Sequence, residues 1–284
     1  MSSEAPPPFT QRMLGLLEPA QLMAWAMSHY FRACSEAVKD GQILAPITQT
    51  RRLRDEAFGR FWVEFSLGSS ALIPPLLKTA NGTVLDVGPG TGTQMPLLTS
   101  PHITSLYGAE PCAGLHKELQ ARAVAEGISD KYHILHCGAA AAELIPALKA
   151  TGTGVVDGFE GDARAGVFDT ILCVRVLCSV PNMERTIAEL YGLLKPGGKL
   201  LVTEHVVNPW GRAKGSILAR IAQAVYQFFG WSWFIGDCCM TRDVEGAVRG
   251  AADCDGGWEM VELERSFEWS AMPYISGTLV KKGI

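Results

Sequence analysis

Charge is what this chain has least of. Asp, Glu, Lys and Arg make up 19 % of its 284 residues, below the ~25 % typical of soluble domains. Its 25 basic and 29 acidic residues leave a formal net charge of −4, with no basic stripe, so no positive field draws in nucleic acid. The opening MSSEAPPPF has no Lys or Arg before Arg12, which predicts no export signal. Residues 13–31 are greasy, but Glu18 and Pro19 interrupt them. The 12 residues that follow fall short of the ~20 a spanning helix needs.

Paired metal-ligand spacings are missing too. The eight cysteines (Cys34, Cys112, Cys137, Cys173, Cys178, Cys238, Cys239 and Cys254) contain no CxxC, so reduced thiols in a cytoplasmic setting are expected. His133 and His136 lie at an odd offset in an expected strand, which puts them on opposite faces. No metal is expected.

What is present is apolar material: 48 % of the residues, enough for a full core and too much for disorder. At ~150 residues per domain the length lies between one domain and two. The first part reads as helical. Met23, Met27, Tyr30, Cys34 and Val38 give one apolar stripe, and a second helix is expected over 51–65. Its Arg51, Arg52 and Arg54 read as a solvated face.

From Thr83 the pattern changes to short apolar runs, TVLDV, SLYGAE, KYHILHC, FDTILCV and KLLVTEHV, separated by helical stretches. Runs of this kind are strands covered on both faces, joined by right-handed crossovers. Two further strands, near 258–265 and 274–281, have no helix-length gap between them and predict an antiparallel hairpin at or near the sheet edge. The fold expected is α/β: a doubly wound, mostly parallel, seven-stranded Rossmann-like sheet with a C-terminal hairpin and an N-terminal helical extension. The extension takes residues 1–79 and the ligand-binding domain 80–284, with a lid insertion at about 207–240.

The strongest local signal is DVGPGTG, Asp86 to Gly92, after an apolar strand and before an expected helix. Glycines let backbone approach a ligand closely, and a helix start offers free N–H groups. The next strand ends at Glu110, twenty residues after Gly90, where a doubly wound fold places the carboxylate for ribose hydroxyls. The G-x-G-x-G spacing is tighter than that of pyrophosphate binders and suits a phosphate-free ligand such as S-adenosylmethionine.

These residues, with FDTILCVRVLCSV and LLKPGGKLLVTEHV, resemble a class I S-adenosylmethionine-dependent methyltransferase over roughly residues 80–284. Val176-Leu177-Cys178-Ser179-Val180, Glu204-His205-Val206 and Gly236-Asp237-Cys238 with Thr241-Arg242 are similar to small-molecule methyltransferases related to the mammalian microsomal thiol methyltransferases. The chain also looks like fungal enzymes that tailor secondary metabolites and, more distantly, quinone-biosynthesis C-methyltransferases.

The resemblance implies a site. Gly88, Pro89, Gly90, Thr91 and Gly92 would line the methionine and ribose end of S-adenosylmethionine, with Asp86 orienting the loop and Glu110 on the ribose. Pro111, Cys137, Gly138 and Ala139 would flank adenine, and Arg175 and Val176 would close the pocket under the sulfonium. Many relatives carry an acid just after the third strand. Here Gly138-Ala139-Ala140-Ala141 stands there, and Glu143 is the nearest carboxylate. Pro89 removes one N–H and stiffens the loop.

Methyl transfer from a sulfonium is an in-line displacement. Orientation alone supplies ~7–11 kcal/mol, while a general base adds ~10²–10⁴-fold. His205, at the carboxyl end of the fifth strand, is the first candidate base, Asp237 the second and His29 a weaker third. Cys178, Cys238 and Cys239 read as packing residues. The stretch 216–234, with Ile217, Leu218, Ile221, Val225, Phe228, Phe229, Trp231, Trp233 and Phe234, suits a lid over a hydrophobic small-molecule acceptor. The same surfaces are candidates for peripheral membrane contact. Oligomeric state is not legible. The expected activity is methylation of O, N or S on such an acceptor; the resemblance to fungal tailoring enzymes implies secondary-metabolite biosynthesis as its setting. The alternative is a scaffold of this fold catalysing a non-methylating reaction such as a cyclisation.

Overall fold

The alternation that begins at Thr83 is present as a sheet in the computed structural model, which describes residues 7–69, 73, 75–157, 165–210 and 215–283. Parts of the expected cap, domain and lid (1–6, 70–72, 74, 158–164, 211–214 and 284) lie outside these described residues. In chain order the elements are α1 (Phe9–Lys39), α2 (Ala45–Thr48), α3 (Thr50–Ser69), β1 (Gly82–Val87), β2 (Ile103–Ala109), α4 (His116–Ala125), β3 (Tyr132–Leu135) and α5 (Ala141–Ala150). Then come β4 (Phe168–Val174), α6 (Met183–Leu193), β5 (Leu194–His205), α7 (Ile217–Phe228), α8 (Trp231–Phe234), α9 (Val244–Gly250), β6 (Met260–Ser266) and β7 (Tyr274–Val280). They form two compact units, one of Met1–Phe61, His205–Val244 and Arg265–Ile275, the other of Trp62–Glu204, Glu245–Glu264 and Ser276–Ile284.

The second unit is built on the seven-stranded sheet, ordered β3-β2-β1-β4-β5-β7-β6. Strands β1 to β5 run parallel. The last pair runs antiparallel, Gly197 and Gly198 bonding to Lys281 and Glu259 to Val280. Val84, Leu106, Leu119, Leu172 and Leu201 pack into one core, as continuous apolar strands require. The edge strand β6 instead carries Glu262, Glu264 and Arg265, charges that blunt edge-to-edge pairing. Buried Lys281 donates to the Tyr191 and Leu194 carbonyls at 3.1 and 2.8 Å and so ties β7 to the end of α6. Strand order reverses between β1 and β4, paired Val87 to Cys173 at their carboxyl ends, the crevice where doubly wound sheets bind ligands.

The structure corrects the expected helix after the glycine loop. Between β1 and β2 there is only one 3-10 turn, Met95–Leu97. Gly92, Pro96 and Pro101 break the short connection before an α-helix can nucleate.

The first unit corrects two more expectations. Its α1 runs unbroken through Pro19. A proline inside a helix removes the N–H that would bond four residues back. Here the carbonyl left over, Gly15 O, accepts from Ala271 N at 3.0 Å, so no backbone acceptor is stranded. The buried face of α1 is also one step round from the expected stripe: Gly15, Pro19, Ala26, His29, Ala33 and Ala37. Ala33 and Ala37 pack with Ala45, Leu53 and Ala57, because small side chains let helices approach closely. Tyr30 and Cys34 flank that seam, and Val38 is exposed. No helix among the described residues is long and apolar enough to cross a membrane.

Candidate active site

The chain turns sharply at the end of β1. Gly88 and Gly90 have φ of +57° and +60°, a region L side chains rarely adopt. A Cβ at Gly88 would strike Val176, and one at Gly90 would overlap the Trp62 indole nitrogen. The loop is held from below. Gly90 N donates to Glu110 Oε2 at 2.9 Å, and Cys112 N to Glu110 Oε1 at 2.8 Å. Thr91 Oγ1 lies 2.7 Å from Ser66 Oγ of α3. His116 Nε2 donates to Glu110 O at 2.8 Å and His136 Nε2 to Pro111 O at 3.1 Å, which clamps the turn after β2. His133 instead stacks on Tyr107.

Two carboxylates lie beneath this loop. Asp86 is fully buried. Gln94 Nε2 donates to both its oxygens at 3.1 Å, and Tyr132 OH donates to Oδ2 at 3.1 Å. Burial, reinforced by the nearby Glu110 charge, pushes Asp86 up to about 7 against these hydrogen bonds. Burial also raises Glu110, while its two backbone donors pull it back. An acid whose folded pKa is raised stabilises the fold fully below its unfolded value, and that contribution is lost as pH rises through the folded value. For Asp86 the window is from about 4 to about 7. Asp86→Asn should flatten the stability profile between about pH 4 and pH 7 in urea unfolding; an unchanged slope would assign the titration to another group.

After β3, Cys137 and Ala139 are buried. Burial, then Glu143, pushes the Cys137 thiol up to about 11, which makes it a packing residue. The carboxylate missing just after the strand arrives from the first turn of α5, where Glu143 Oε2 accepts from Gly138 N at 2.9 Å. After β4, Arg175 takes φ +57° and its N–H donates to Thr203 O at 2.9 Å. Its guanidinium lies over the Phe65 ring. Glu204 Oε1 accepts from both Val176 N and Leu177 N, at 2.9 and 3.0 Å, and pins the turn that places Val176 against Gly88. Trp62, Phe65, Ser66, Gln94 and Tyr132 were not singled out from sequence, and Glu204 only as part of the Glu204-His205-Val206 motif.

The base candidates lie in the other unit and are described within it. His205 is buried, its Nε2 is 3.0 Å from Cys238 Sγ, and Tyr274 lies edge-on to its ring. Trp231 Nε1 donates to the same sulfur at 3.1 Å. Asp237, at φ +61°, accepts from Arg54 at 2.9 and 3.3 Å, and Arg54 lies over the Trp233 ring. So Asp237 is an ion-pair partner with a side chain 62 % exposed. Arg54, 17 % exposed, is not on a simple solvated face. His29 is buried between Trp25 and Phe61.

The first cluster fits the cofactor that the resemblance implies. Two loop positions admit no Cβ, and the buried carboxyl groups of Glu110 and Asp86 provide acceptors for hydroxyls. Comparison with known proteins agrees. A family described as a methyltransferase domain matches residues 51–233. Human thiol S-methyltransferase TMT1B is 32 % identical over 122 residues, 41 % of this chain and 45 % of that protein. Phosphatidylethanolamine N-methyltransferase of Cereibacter sphaeroides is 27 % identical over 176 residues, 59 % of this chain and 74 % of that protein. The chain thus matches under half the length of the thiol methyltransferase. An O-methyltransferase family protein from Burkholderia thailandensis superposes with a TM-score of 0.55 at 14 % identity, over 92 % of this chain and 72 % of that one, and shares the fold. With the family match spanning more than half its length, the chain belongs to the class I S-adenosylmethionine-dependent methyltransferases.

Proposed function

We propose that this protein methylates an oxygen, nitrogen or sulfur atom of a hydrophobic small molecule, in secondary-metabolite biosynthesis. The observation that carries the cofactor half is the Gly90–Glu110–Asp86 cluster, where one carboxylate holds the loop and a second is buried beneath it. S-adenosylmethionine, when bound, supplies an electrophilic methyl on a positively charged sulfur. Glu110 offers acceptors to ribose hydroxyls, Asp86 orients the loop, and Gly88 to Gly92, Pro89 and Thr91 included, present backbone to the ligand. Pro111, Cys137, Gly138 and Ala139 flank the base, with Glu143 reaching the same loop, while Arg175 and Val176 close the pocket.

Acceptor recognition is assigned to residues 1–79 as cap and 207–240 as lid, most of which belong to the first unit. Its packing is aromatic: Trp25 against Phe61, Phe61 against Phe58, and Tyr30 against Phe234, chemistry that suits an apolar acceptor. The relatives' names, a thiol and a phospholipid amine methyltransferase, support a heteroatom acceptor without choosing between sulfur and nitrogen. His205 takes the acceptor proton where the acceptor is not already an anion or free amine, and positioning contributes the rest.

Mass spectrometry of reactions with S-adenosylmethionine and panels of thiols, amines and phenols should show one methyl added. A product of unchanged mass would establish the cyclase-like alternative instead. His205→Ala should lower turnover by ~10²–10⁴-fold on an alcohol or phenol acceptor while leaving cofactor affinity within about threefold. Unaffected turnover would remove His205 as the base.

A further inference from the structure

The backbone around Cys238 is pinned at several points. The chain reaches it through two consecutive left-handed residues, Gly236 and Asp237, at φ of +55° and +61°. A Cβ at Gly236 would strike the Phe58 ring, and a residue other than glycine keeps such a φ only where its surroundings impose it. Here they do. Asp237 N donates to Ser232 O at 2.9 Å and Cys238 N to Ile235 O at 3.0 Å. Ser232 Oγ donates to Cys238 O at 2.8 Å. Gln227 donates in turn to Ser232 Oγ and accepts from Met240 N. The result is a buried sulfur at a fixed point of the first unit.

That sulfur has two nitrogen neighbours, Trp231 Nε1 at 3.1 Å and His205 Nε2 at 3.0 Å, and all three residues are buried. An indole N–H only donates, so the sulfur accepts from it. The histidine contact has two forms. If the thiol donates to Nε2, the neutral ring carries its proton on Nδ1, and its one lone pair is engaged by the sulfur. If Nε2–H donates, the lone pair is on Nδ1. Sulfur has a second lone pair to offer and S–H is a weak donor, which favours the second form. The hydrogen bond at one ring nitrogen decides which nitrogen holds the proton. Once Nδ1 has gained a proton, Nε2–H belongs to a cation, and its bond to the sulfur strengthens as charge-assisted bonds do.

We propose that Cys238 is a positioning residue for His205: its sulfur accepts from Nε2–H and holds the imidazole in the tautomer whose Nδ1 takes the acceptor's proton. A buried carboxylate does the same for the imidazole of hydrolytic triads. The proposal rests on the reading of His205 as acceptor base.

Nitrogen-15 NMR of the full chain labelled at histidine reads the tautomer directly, the His205 signals being those absent from His205→Ala. In the parent the neutral ring should carry its proton on Nε2; a proton on Nδ1 overturns the proposal. Cys238→Ala should turn the single tautomer into a mixture, and Cys238→Val serves if the alanine variant loses the parent's thermal midpoint. A tautomer that these substitutions leave unchanged also overturns it. Kinetics tests the catalytic half. Cys238→Ala should lower kcat ~10–100-fold with KM within about threefold. Cys238→Ser, whose oxygen can accept from Nε2, should recover most of that loss. Adding Cys238→Ala to His205→Ala should cost nothing further. An unchanged kcat in Cys238→Ala, or a double variant slower by the full Cys238→Ala factor, overturns the proposal. His205→Ala at parental turnover removes the base instead and leaves the tautomer result standing, so the two failures are distinct.

Discussion

Titration of Glu110→Ala with S-adenosylmethionine should show affinity at least ~100-fold below that of the parent, and Gly90→Arg should show no binding at all. The alanine removes the carboxylate that holds both Gly90 N and Cys112 N. Hydrogen bonds to charged groups contribute ~1.5–3 kcal/mol each, and two donors are released where the ligand must meet an ordered loop. Arginine at Gly90 faces two obstacles, a φ of +60° and a Trp62 indole where its Cβ would stand. Strain of this kind costs ~1–3 kcal/mol before the long side chain enters the cleft. Calorimetry showing undiminished binding in both variants would place the cofactor elsewhere.

The second large effect is on stability. Glu204 is buried, and one of its oxygens accepts from two consecutive backbone N–H groups. Glu204→Ala strands both donors away from water at ~1–3 kcal/mol each. With ~2–4 °C per kcal/mol in a domain of this size class, the thermal midpoint should fall by about 10 °C. Glu204→Gln keeps an oxygen that can accept both bonds and should recover more than half the loss. An alanine variant melting within about 2 °C of the parent would contradict this account.

Both predictions draw on residues of different visibility in sequence. The β1 strand, its glycines and Glu110 could be read directly, because an apolar run, a turn and the next strand end lie within one crossover of the chain. Trp62 and Ser66 could not. They meet Gly90 and Thr91 from a helix more than twenty residues earlier, and no local periodicity encodes that contact. Glu143 was visible only as the nearest carboxylate; its return to Gly138 depends on how α5 starts. On α1 the large side chains suggested a stripe, yet the close approach of α2 and α3 buried the alanines instead. Pro19 looked like a break because its compensating donor, Ala271, stands 252 residues away.

That contact has a kinetic meaning. The Gly15 carbonyl freed by Pro19 is taken by Ala271, a residue the ribosome adds 256 positions after Gly15. At synthesis rates of about 5–20 residues per second, the N-terminal helix waits roughly 13–50 s for this partner. During that interval the nascent chain carries an exposed greasy helix whose defining contact does not yet exist. Its folding unit closes only after residue 271 has been made, so chaperone dependence and aggregation during translation should concentrate in α1.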